Sequence, residues 1–437
     1  MSQTFTTKIF LPAQAATETE ATMLKWHVDE GASFEKGALL AEAESAKSSF
    51  EFEAPCAGTL VRRLCKEGET IPIDQPVAEI TTSDSSMRDA APVDTAAEEE
   101  VQRMAVPRVG GHDKASAGSV SLLGIGGYVP GRIVTNAELL GDYPDMSEEY
   151  LFGVTGIRER RWAQPDEKPS DMALHAARAC LERSGITAEQ LGAIIVTTTT
   201  PDVVMPSTAC ILQDRLGVRG IPAFDLNAAC SGWLYGIGVA KGMVLGDIAD
   251  NIMVIGVDLQ SRLLDKTDKA TYFLFGDGAG ATVVSRSIKG HRIAGEVLVA
   301  DAQGMQMARR EFPGHRVPSD GDCDPWVRLD GRALFRFATA SFASIIREVI
   351  TKSGWEPEQV RWVVPHQANG RILKAAAAKS GVSFDRFYLN IDHYGNTSSA
   401  SIPLAMIEIE RGMQANDKLV LCSVGAGITA AALSLEW

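Results

Sequence analysis

Two rounds of short apolar runs, each followed by a segment with helical spacing, fill the chain from Val120 to its end. The runs include residues 193–200 and 252–257 in the first round, and residues 362–365 and 418–423 in the second. Runs of this length that are apolar throughout are typical of strands buried on both faces. Strands that alternate with helices favour a layered α/β architecture in which helices cover the sheets.

The N-terminal part of the chain has a different pattern. In residues 1–82, short strand-like runs alternate with glycine-containing turns, which indicates a small all-β unit. Residues 83–117 are rich in Ala, Pro, Ser and acidic side chains, a composition typical of a flexible tether. We therefore expect a β domain at 1–82, a linker at 83–117 and an α/β domain at 118–437.

Composition excludes several classes of function. The 437 residues carry a net charge of −14, which disfavours a nucleic-acid-binding surface. Seven scattered cysteines without C-x-x-C spacing indicate reduced thiols rather than disulfides or a zinc site. The sequence contains neither a signal peptide pattern nor an apolar run long enough to span a bilayer. We expect a cytoplasmic protein without a membrane or nucleic-acid partner.

Cys230 is the first candidate for chemistry. It lies in D-L-N-A-A-C-S-G-W, after the apolar residues 221–226 and before Trp233, Leu234 and Ile237 at helical spacing. A cysteine at such a strand-to-helix turn meets free backbone N–H groups and the positive end of the helix dipole, which favour a thiolate. A thiolate is a strong nucleophile toward thioesters. A lone cysteine in an apolar run is nevertheless more often a buried structural residue.

Three later segments raise the weight of the functional interpretation. V-V-P-H-Q-A-N-G-R places His366 just past a buried strand, and H-Y-G-N-T-S-S-A places Asn396 in a glycine-flanked turn that opens a helix. S-V-G-A-G-I-T-A, residues 423–430, is a glycine-rich turn whose amides can approach a reacting carbonyl. A histidine at a strand end is usually a core residue, and an Asn beside Gly is usually a turn. Their combination with Cys230, in this order, is far more specific.

Three local features receive structural interpretations. G-I-G-G-Y-V-P-G, residues 124–131, resembles a phosphate loop but lacks the rest of a dinucleotide-binding unit, so it predicts a turn. G-D-G-A-G-A, residues 276–281, predicts a loop, and Ser170 predicts the N-cap of a helix.

Residues 120–437 resemble β-ketoacyl-acyl-carrier-protein synthase III, a condensing enzyme of the thiolase superfamily. The resemblance rests on the segments above and on T-G-I-R-E-R (155–160), P-S-T-A-C (206–210), F-G-D-G-A-G-A (275–281) and P-H-Q-A-N (365–369). It implies a five-layer αβαβα fold, a homodimer and a triad of Cys230, His366 and Asn396. Papain-type proteases also use Cys, His and Asn, but they lack this strand–helix order.

The resemblance also implies a mechanism of lipid or polyketide-like biosynthesis that needs no cofactor. Cys230 takes an acyl group from a thioester on an acyl-carrier protein or CoA, and the backbone amides of Cys230, Gly425 and Ala426 hold the oxyanion. A malonyl-type thioester then loses CO2 while His366 and Asn396 donate hydrogen bonds to its oxygen. The resulting carbanion attacks the acyl group and gives a β-ketoacyl thioester.

This chain departs from the family pattern where substrates bind. Tyr150 and Val154 replace a Trp and an Arg that bind the CoA adenine, and Lys269 replaces a stacking Arg. The carrier-protein patch is kept in part, as Arg336, Arg371 and Lys379. The acyl pocket has Met205, contributed across the dimer, and Val424 in place of two Phe residues. We expect a primer other than acetyl, delivered by a protein-bound arm rather than by CoA.

Residues 7–81 resemble a lipoyl/biotinyl carrier domain, which implies a flattened barrel of two four-stranded sheets. Lys47, in E-S-A-K-S-S-F, lies where that family carries its modified lysine at an exposed hairpin tip. Ala46 stands where the acidic neighbour of a lipoyl lysine is usual, and the methionines that flank a biotinyl lysine are absent. Covalent lipoyl on Lys47 is favoured over biotin, and an unmodified docking module stays open. The H-x-x-x-D-G motif of dihydrolipoyl acyltransferases is absent.

Two alternatives to the condensing enzyme follow from the same residues. In one, the acyl group on Cys230 passes to an O, N or S nucleophile without decarboxylation. In the other, the protein is a non-catalytic partner whose tethered domain serves for docking. The presence of both His366 and Asn396 favours condensation, because simple acyl transfer has less need of Asn396.

Overall fold

The computed structural model describes residues 4–11, 20–44, 49–72, 75–84, 87, 119–141, 143–287, 289–311 and 324–437. Contacts between residues divide the chain into two compact units, Met1–Arg103 and Met104–Trp437. The domain limits at 82 and 118 stay a prediction. Within the described residues, no helix is both long and apolar enough to cross a membrane.

The first unit contains two four-stranded antiparallel sheets, with strand orders β1-β8-β6-β3 and β5-β4-β2-β7. Side chains from both sheets, among them Met23, Leu40, Leu60 and Ile80, are fully buried between them. The predicted β barrel-sandwich is therefore confirmed. The strands are β1 Phe5–Phe10, β2 Glu20–Trp26, β3 Ser33–Phe34, β4 Leu39–Glu44, β5 Ser49–Glu53, β6 Gly58–Arg63, β7 Thr70–Pro72 and β8 Pro76–Thr82.

The second unit is built on a sheet with the order β13-β12-β14-β15-β9-β16-β21-β20-β19. Its two halves meet where β9 pairs with β16 through only two residue pairs, His291 with Leu122 and Arg292 with Ser121. The strands of this sheet are β9 Ser121–Tyr128, β12 Ala193–Thr197, β13 Ala223–Leu226, β14 Asn251–Leu259, β15 Asp277–Ser285, β16 His291–Ala300, β19 Val360–Pro365, β20 Lys418–Gly425 and β21 Thr429–Glu436. Two short pairs lie outside it, β10 Arg132–Thr135 with β11 Glu159–Trp162 and β17 Ala308–Arg309 with β18 Arg328–Leu329.

The helices of the second unit begin and end close to the apolar patterns in the sequence. N-cap side chains of Ser147, Ser207, Asp330 and Asn369 accept hydrogen bonds from the first turns of four of them. The helices are α1 Asn136–Leu140, α2 Glu148–Thr155, α3 Pro169–Ser184, α4 Thr208–Leu216, α5 Gly232–Leu245, α6 Gly331–Lys352, α7 Gly370–Ser380, α8 Ile391–Tyr394 and α9 Ser401–Ile409.

Helices α5 and α9 form the middle layer between the two half-sheets. Trp233 and Ile237 of α5 and Met406 of α9 belong to one buried cluster with Ile195 of the first half-sheet and Leu421 of the second. Side chains alternate between the two faces of a strand, so each buried strand supplies this cluster with every second residue. Cys230 lies just before the start of α5, and Ser401 is the first residue of α9.

Two outer layers complete the fold. Helices α3 and α4 pack on the other face of the first half-sheet, where Ile194 and Met253 point. Helices α6 and α7 pack on the other face of the second half-sheet, where Val420 and Cys422 point. The order helix, sheet, helix, sheet, helix confirms the expected five-layer thiolase-like fold.

Two glycine-rich segments that the sequence predicts as a turn and a loop are strands instead. Residues 124–128 belong to β9, and residues 277–281 belong to β15. A Cβ on Gly126 would lie 2.2 Å from the Ala176 carbonyl oxygen of α3, and one on Gly280 would lie 2.3 Å from Pro403 of α9. These glycines let helices pack directly on the strand backbone, which is a use that local turn patterns do not reveal.

The predicted cap at Ser170 is also wrong. Helix α3 begins at Pro169, and Lys168 is its N-cap, with its backbone N–H donating to Asp171. Proline is favoured at the first helical position, and the helix therefore starts two residues earlier than predicted. The Ser170 side chain instead donates to Asp202, 2.6 Å away.

Candidate active site

Cys230 lies in a single 3-10 turn, Ala229–Ser231, between strand β13 and helix α5. The turn is anchored to the second half-sheet, because Ser423 Oγ donates to the Cys230 carbonyl at 3.0 Å and Ser231 Oγ donates to the Thr429 carbonyl at 3.1 Å. Ala229 has a φ of 47°, a left-handed conformation that is uncommon for a residue with a side chain. The cysteine is thus presented at the N-terminal end of α5, partly exposed.

The glycine-rich turn after β20 comes directly against the backbone of Cys230. A Cβ on Gly425 would lie 2.8 Å from the Cys230 nitrogen and 3.0 Å from the Ser231 nitrogen. Only glycine leaves these amides uncovered. Next to it, the Ala426 carbonyl accepts from Thr429 Oγ1 at 3.3 Å. The structure therefore brings together the three residues that the sequence predicts as the backbone oxyanion hole.

Ser398 connects the nucleophile to the rest of the site. Its hydroxyl donates to Cys230 Sγ at 3.6 Å, and its backbone N–H donates to Asn396 Oδ1 at 2.9 Å. Its carbonyl accepts from Ser401 Oγ at 3.0 Å, and its φ is 51°. A buried serine in this left-handed conformation is a strained element that its surroundings must hold in place.

Asn396 is oriented by these contacts as a hydrogen-bond donor. Because its Oδ1 accepts from Ser398, the NH2 group is the end of the amide that remains for a ligand. The backbone of Asn396 is tied to residues 274–276, with its N–H donating to the Leu274 carbonyl and its carbonyl accepting from Gly276. The F-G-D-G segment thus positions Asn396, a role that sequence reasoning did not assign to it.

His366 follows β19 and is 1% exposed. Its backbone N–H donates to the Cys422 carbonyl at 2.7 Å, and its Nδ1 lies 2.8 Å from Ser401 Oγ. Burial lowers the pKa of His366 to about 3, an effect that a hydrogen bond to the Ser398 backbone offsets in part. The imidazole is therefore neutral at physiological pH. Ser398 and Ser401 join His366, Asn396 and Cys230 in one network.

The expected resting thiolate at Cys230 needs correction. Burial raises the pKa of this thiol to about 12; the hydrogen bond from Ser398 acts in the opposite direction, and the nearby Asp258 adds to the increase. Desolvation disfavours the anion more than the hydrogen bonds from Ser398 and from the Cys230 backbone stabilise it. Cys230 rests as a thiol, so its deprotonation must accompany attack on the substrate.

Sequence reasoning missed the buried network behind this site. Asp258 is fully buried and accepts from Thr199 N at 2.7 Å, Thr199 Oγ1 at 2.8 Å and Ser399 Oγ at 2.8 Å. These bonds tie the end of β12 to the turn that carries Ser398. The signal was the four consecutive threonines at 197–200, together with an aspartate near the end of the next apolar strand.

The predicted carrier and CoA residues lie on several elements. Arg371 of α7 donates from Nε to the Gly153 carbonyl of α2, the helix that also carries the half-buried Tyr150. Lys269 places its Nζ 5.2 Å from the centre of the Tyr143 ring. Arg336 is half-buried on α6, and the exposed Lys379 is in the last turn of α7, about 12 Å along that helix from Arg371. The structure links Arg371 to the Tyr150 helix but shows no single cluster of all five.

The two predicted acyl-pocket residues have opposite environments. Val424 is buried with Ile428 and Ala430 in the cluster that faces α6 and α7. Met205 is 86% exposed and follows Val204, which is 76% exposed. Met205 is therefore on the surface of the chain, whereas Val424 is in its interior. Lys47 lies outside the described residues.

Comparisons with known proteins identify the family of the chain. Family models for 3-oxoacyl-[acyl-carrier-protein] synthase III match residues 224–302, and the model of its C-terminal part matches residues 350–437. A curated β-ketoacyl-[acyl-carrier-protein] synthase III from Syntrophomonas wolfei is 39% identical over 324 residues, covering 73% of this chain and 97% of the relative. That of Symbiobacterium thermophilum is 40% identical, covering 73% and 98%. The chain belongs to the β-ketoacyl-[acyl-carrier-protein] synthase III family.

Solved structures support the same assignment. The synthase III of Thermus thermophilus has a TM-score of 0.68 and 39% identity, covering 72% of this chain and 99% of its own. The priming β-ketosynthase of the R1128 polyketide pathway has a TM-score of 0.68 and 30% identity, covering 75% and 98%. The protein is therefore an acyl-transferring condensing enzyme. A model described as biotin-requiring enzyme matches residues 7–80, which supports the carrier-like first unit.

Proposed function

We propose that this synthase III-type enzyme forms a β-ketoacyl thioester from an acyl group on Cys230 and a malonyl thioester. The observation that carries the proposal is the Ser398 turn, which hydrogen-bonds both Cys230 and Asn396 and accepts from the serine that contacts His366. A buried structural cysteine needs no such arrangement of a thiol, an amide donor and a neutral imidazole.

The first half of the reaction acylates Cys230. Its sulfur attacks the thioester carbonyl, the backbone amides of Cys230, Gly425 and Ala426 stabilise the oxyanion, and the donor thiol leaves. In the second half, a malonyl thioester loses CO2, and the Asn396 amide donates to the oxygen on which the enolate charge develops. The enolate carbon then attacks the acyl group and releases the Cys230 thiolate. No step requires a metal or nucleotide.

The experiment uses labelled acyl thioesters with and without a malonyl thioester. Mass spectrometry should find the acyl group on Cys230, and CO2 should be released only when the malonyl donor is present. Cys230→Ala should abolish acylation, whereas Cys210→Ala, which removes an exposed cysteine elsewhere, should not. Acylation without CO2 release would favour transfer to another nucleophile, and no acylation by any donor would refute the proposal.

For the first unit we propose that Lys47 carries a lipoyl arm that delivers acyl groups as thioesters, with biotin as the less favoured group. Strands β4 and β5 are paired as far as Glu44 opposite Ser49, and Lys47 stands between these two residues in the sequence. The replacement of CoA-binding residues by Tyr150, Val154 and Lys269 supports delivery by a carrier. Val154 is buried and apolar, so its side chain offers no charge that could bind the phosphates or the adenine of CoA.

Intact mass of the protein from its native host tests this modification. The mass should include one lipoyl group, which should be lost in Lys47→Arg, and that variant should still accept acyl groups from free thioesters. An unmodified wild-type mass would leave a docking role for the domain and would refute the lipoyl arm.

We also propose a cytoplasmic homodimer that takes its substrates from an acyl-carrier protein, with Arg336, Arg371 and Lys379 contacting the carrier. Exposed apolar residues of the 203–205 segment support the dimer, since Met205 and Val204 would be costly on a free surface. At the start of this segment, Asp202 accepts hydrogen bonds from the hydroxyl and the backbone N–H of Ser170. These bonds would fix the start of the segment, so that Met205 extends toward a partner subunit.

A further inference from the structure

Gln260 is a buried polar residue that the proposed chemistry leaves without a role. It follows β14, begins the 3-10 turn Gln260–Leu263 and is 5% exposed. Its Nε2 donates to Thr199 Oγ1 at 2.9 Å. We propose that Gln260 is a specificity-determining residue beside Cys230, which makes the enzyme prefer acyl groups that carry a hydroxyl over plain hydrocarbon chains of the same length. This inference rests on the proposed acylation of Cys230.

The alternation of side chains along β14 places Gln260 on the face of the sheet that meets the middle helices. Val254 belongs to the buried cluster around α5 and α9, whereas its neighbour Ile255 belongs to the outer cluster. Asp258 is on the same face as Val254 and accepts from Ser399 Oγ, in the turn before α9, at 2.8 Å. Because every second side chain of a strand shares a face, Gln260 continues the row of Val254 and Asp258.

Thr199 lies at the same edge of the sheet, just past β12. Two residues earlier, Thr197 contacts the first turn of α5, since a Cβ on Gly232 would be 3.0 Å from the Thr197 Cβ. Cys230 is two residues before Gly232. Strand β12 pairs in parallel with β14 and with β13, the strand that leads to Cys230, so the carboxyl ends of all three strands meet at one edge. Ligands of open α/β sheets bind at such an edge, and Thr199 and Cys230 are both partly exposed there.

Hydrogen bonds fix the direction of the Gln260 amide. Thr199 Oγ1 donates its only proton to Asp258 Oδ1 at 2.8 Å, so it accepts from the NH2 end of the Gln260 amide. Among the residues that the structure describes, neither the amide oxygen of Gln260 nor its second N–H has a hydrogen-bond partner in the protein. The equally buried Gln367 differs, because both ends of its amide are bonded to backbone groups. Gln260 is therefore oriented by the protein but only half satisfied by it.

A hydroxyl on the acyl chain matches the two unused groups of this amide. It has a proton for the amide oxygen and lone pairs for the second N–H, whereas a ketone can only accept. A hydrocarbon chain in the same place would leave the buried amide without partners, which is costly. Sites that hydrogen-bond a substrate hydroxyl discriminate strongly against the analogue that lacks it. The preferred substrates are therefore hydroxyacyl thioesters.

Acylation rates of Cys230 with matched thioesters test this preference. Butyryl, 2-hydroxybutyryl and 3-hydroxybutyryl pantetheine have chains of the same length, and the hydroxyacyl donors are supplied in both enantiomeric forms. Mass spectrometry follows the acyl group on Cys230. At least one hydroxyacyl donor should acylate the wild type about tenfold faster than butyryl, or more. Gln260→Leu, which keeps a side chain of similar size without hydrogen-bonding groups, should lose this preference and become faster with butyryl.

Gln213→Leu is the matched control and should keep the wild-type preference. Gln213 also donates from Nε2, to the Ile221 carbonyl at 2.9 Å, but it belongs to α4 in the outer layer. Each preference is a ratio of two rates in one protein, so a partly unfolded variant still gives a valid ratio. A wild type that butyryl acylates as fast as every hydroxyacyl donor, or an unchanged preference in Gln260→Leu, would overturn this inference alone. A wild type that no thioester acylates would refute the proposed function on which it rests.

Discussion

At the scale of the residue, the site depends on serines whose importance is not visible in the sequence. Cys230, His366 and Asn396 come from three distant segments, and hydrogen bonds of Ser398 and Ser401 connect them. The left-handed φ of Ser398 directs its hydroxyl and its N–H toward two of these residues at once. The strained backbone of Ser398 thus allows one residue to hydrogen-bond both Cys230 and Asn396.

Asn396→Asp tests whether the Asn396 amide donates a hydrogen bond to the enolate oxygen. The change keeps the shape of the side chain but replaces the amide donor with a group that can only accept when ionised. We expect CO2 release from a malonyl thioester to fall about 100-fold or more, as for other removed oxyanion donors. Acylation of Cys230, followed by mass spectrometry, should fall much less. Equal losses in the two steps would argue against a specific role for Asn396 in enolate formation.

His291→Phe tests a pH dependence that is separate from catalysis. His291 stacks on Trp437 with ring centroids 3.7 Å apart, and burial lowers its pKa to about 4. Below its unfolded pKa of about 6.5 the unfolded chain binds a proton that the folded protein excludes, so the wild type loses stability as pH falls from about 6.5 to 4. Phenylalanine keeps the stacking and removes this loss.

Thermal unfolding of the two proteins across this pH range is the measurement. The wild type should lose about 1–3 kcal/mol more than the variant between pH 6.5 and 4. Parallel curves would show that His291 titrates equally in the folded and unfolded chains.

At the scale of the element, glycines decide how closely backbones approach. Gly126 and Gly280 let α3 and α9 pack on strands of the central sheet, and Gly425 lets β20 approach the nucleophile turn. A Cβ does not fit at any of these three glycines, because it would clash with backbone atoms or with a proline ring. Glycine-rich segments that resemble loops in the sequence therefore form strands against which other elements pack closely.

Gly425→Ala tests the element that faces Cys230. The added Cβ would lie 2.8 Å from the Cys230 nitrogen, so it would displace the turn and cover the amide proposed for the oxyanion hole. We expect acylation to fall by at least about 100-fold. Gly242→Ala, in helix α5, is the control: nothing lies within 4 Å of its Cβ, and it should stabilise the helix by about 0.5–1 kcal/mol without loss of activity. Activity in Gly425→Ala equal to that of this control would contradict the assignment.

At the scale of the whole molecule, the architecture places reactive groups where layers meet. The nucleophile turn belongs to the first half-sheet, whereas His366 and the glycine turn belong to the second, and the middle helices α5 and α9 begin beside them. The first set of strands and helices therefore supplies one side of the site, and the second set supplies the other side. Under the proposal made above, the carrier-like first unit would supply acyl groups to this site.

Val204→Glu tests the proposed dimer. Val204 is 76% exposed, so a glutamate there should not disturb the folded monomer, but it would place a charge in the proposed interface. Light scattering should find monomers where the wild type forms dimers. Ile248→Glu, at another exposed apolar residue (62% exposed), should leave the dimer intact. A wild type that is monomeric at micromolar concentration would refute the dimer.

The sequence by itself determined the layered α/β fold, the small β unit and the order of Cys230, His366 and Asn396, because hydrophobic periodicity and local motifs are properties of neighbouring residues. Only the tertiary structure decided the protonation of the site. The pKa of Cys230 and of His366 depends on burial by segments far away in the chain, and the bonds of Asp258, Ser398 and Ser401 exist only after distant turns have met. Spacing along a chain does not encode such contacts, so the predicted thiolate was wrong while the predicted nucleophile lay at the expected turn.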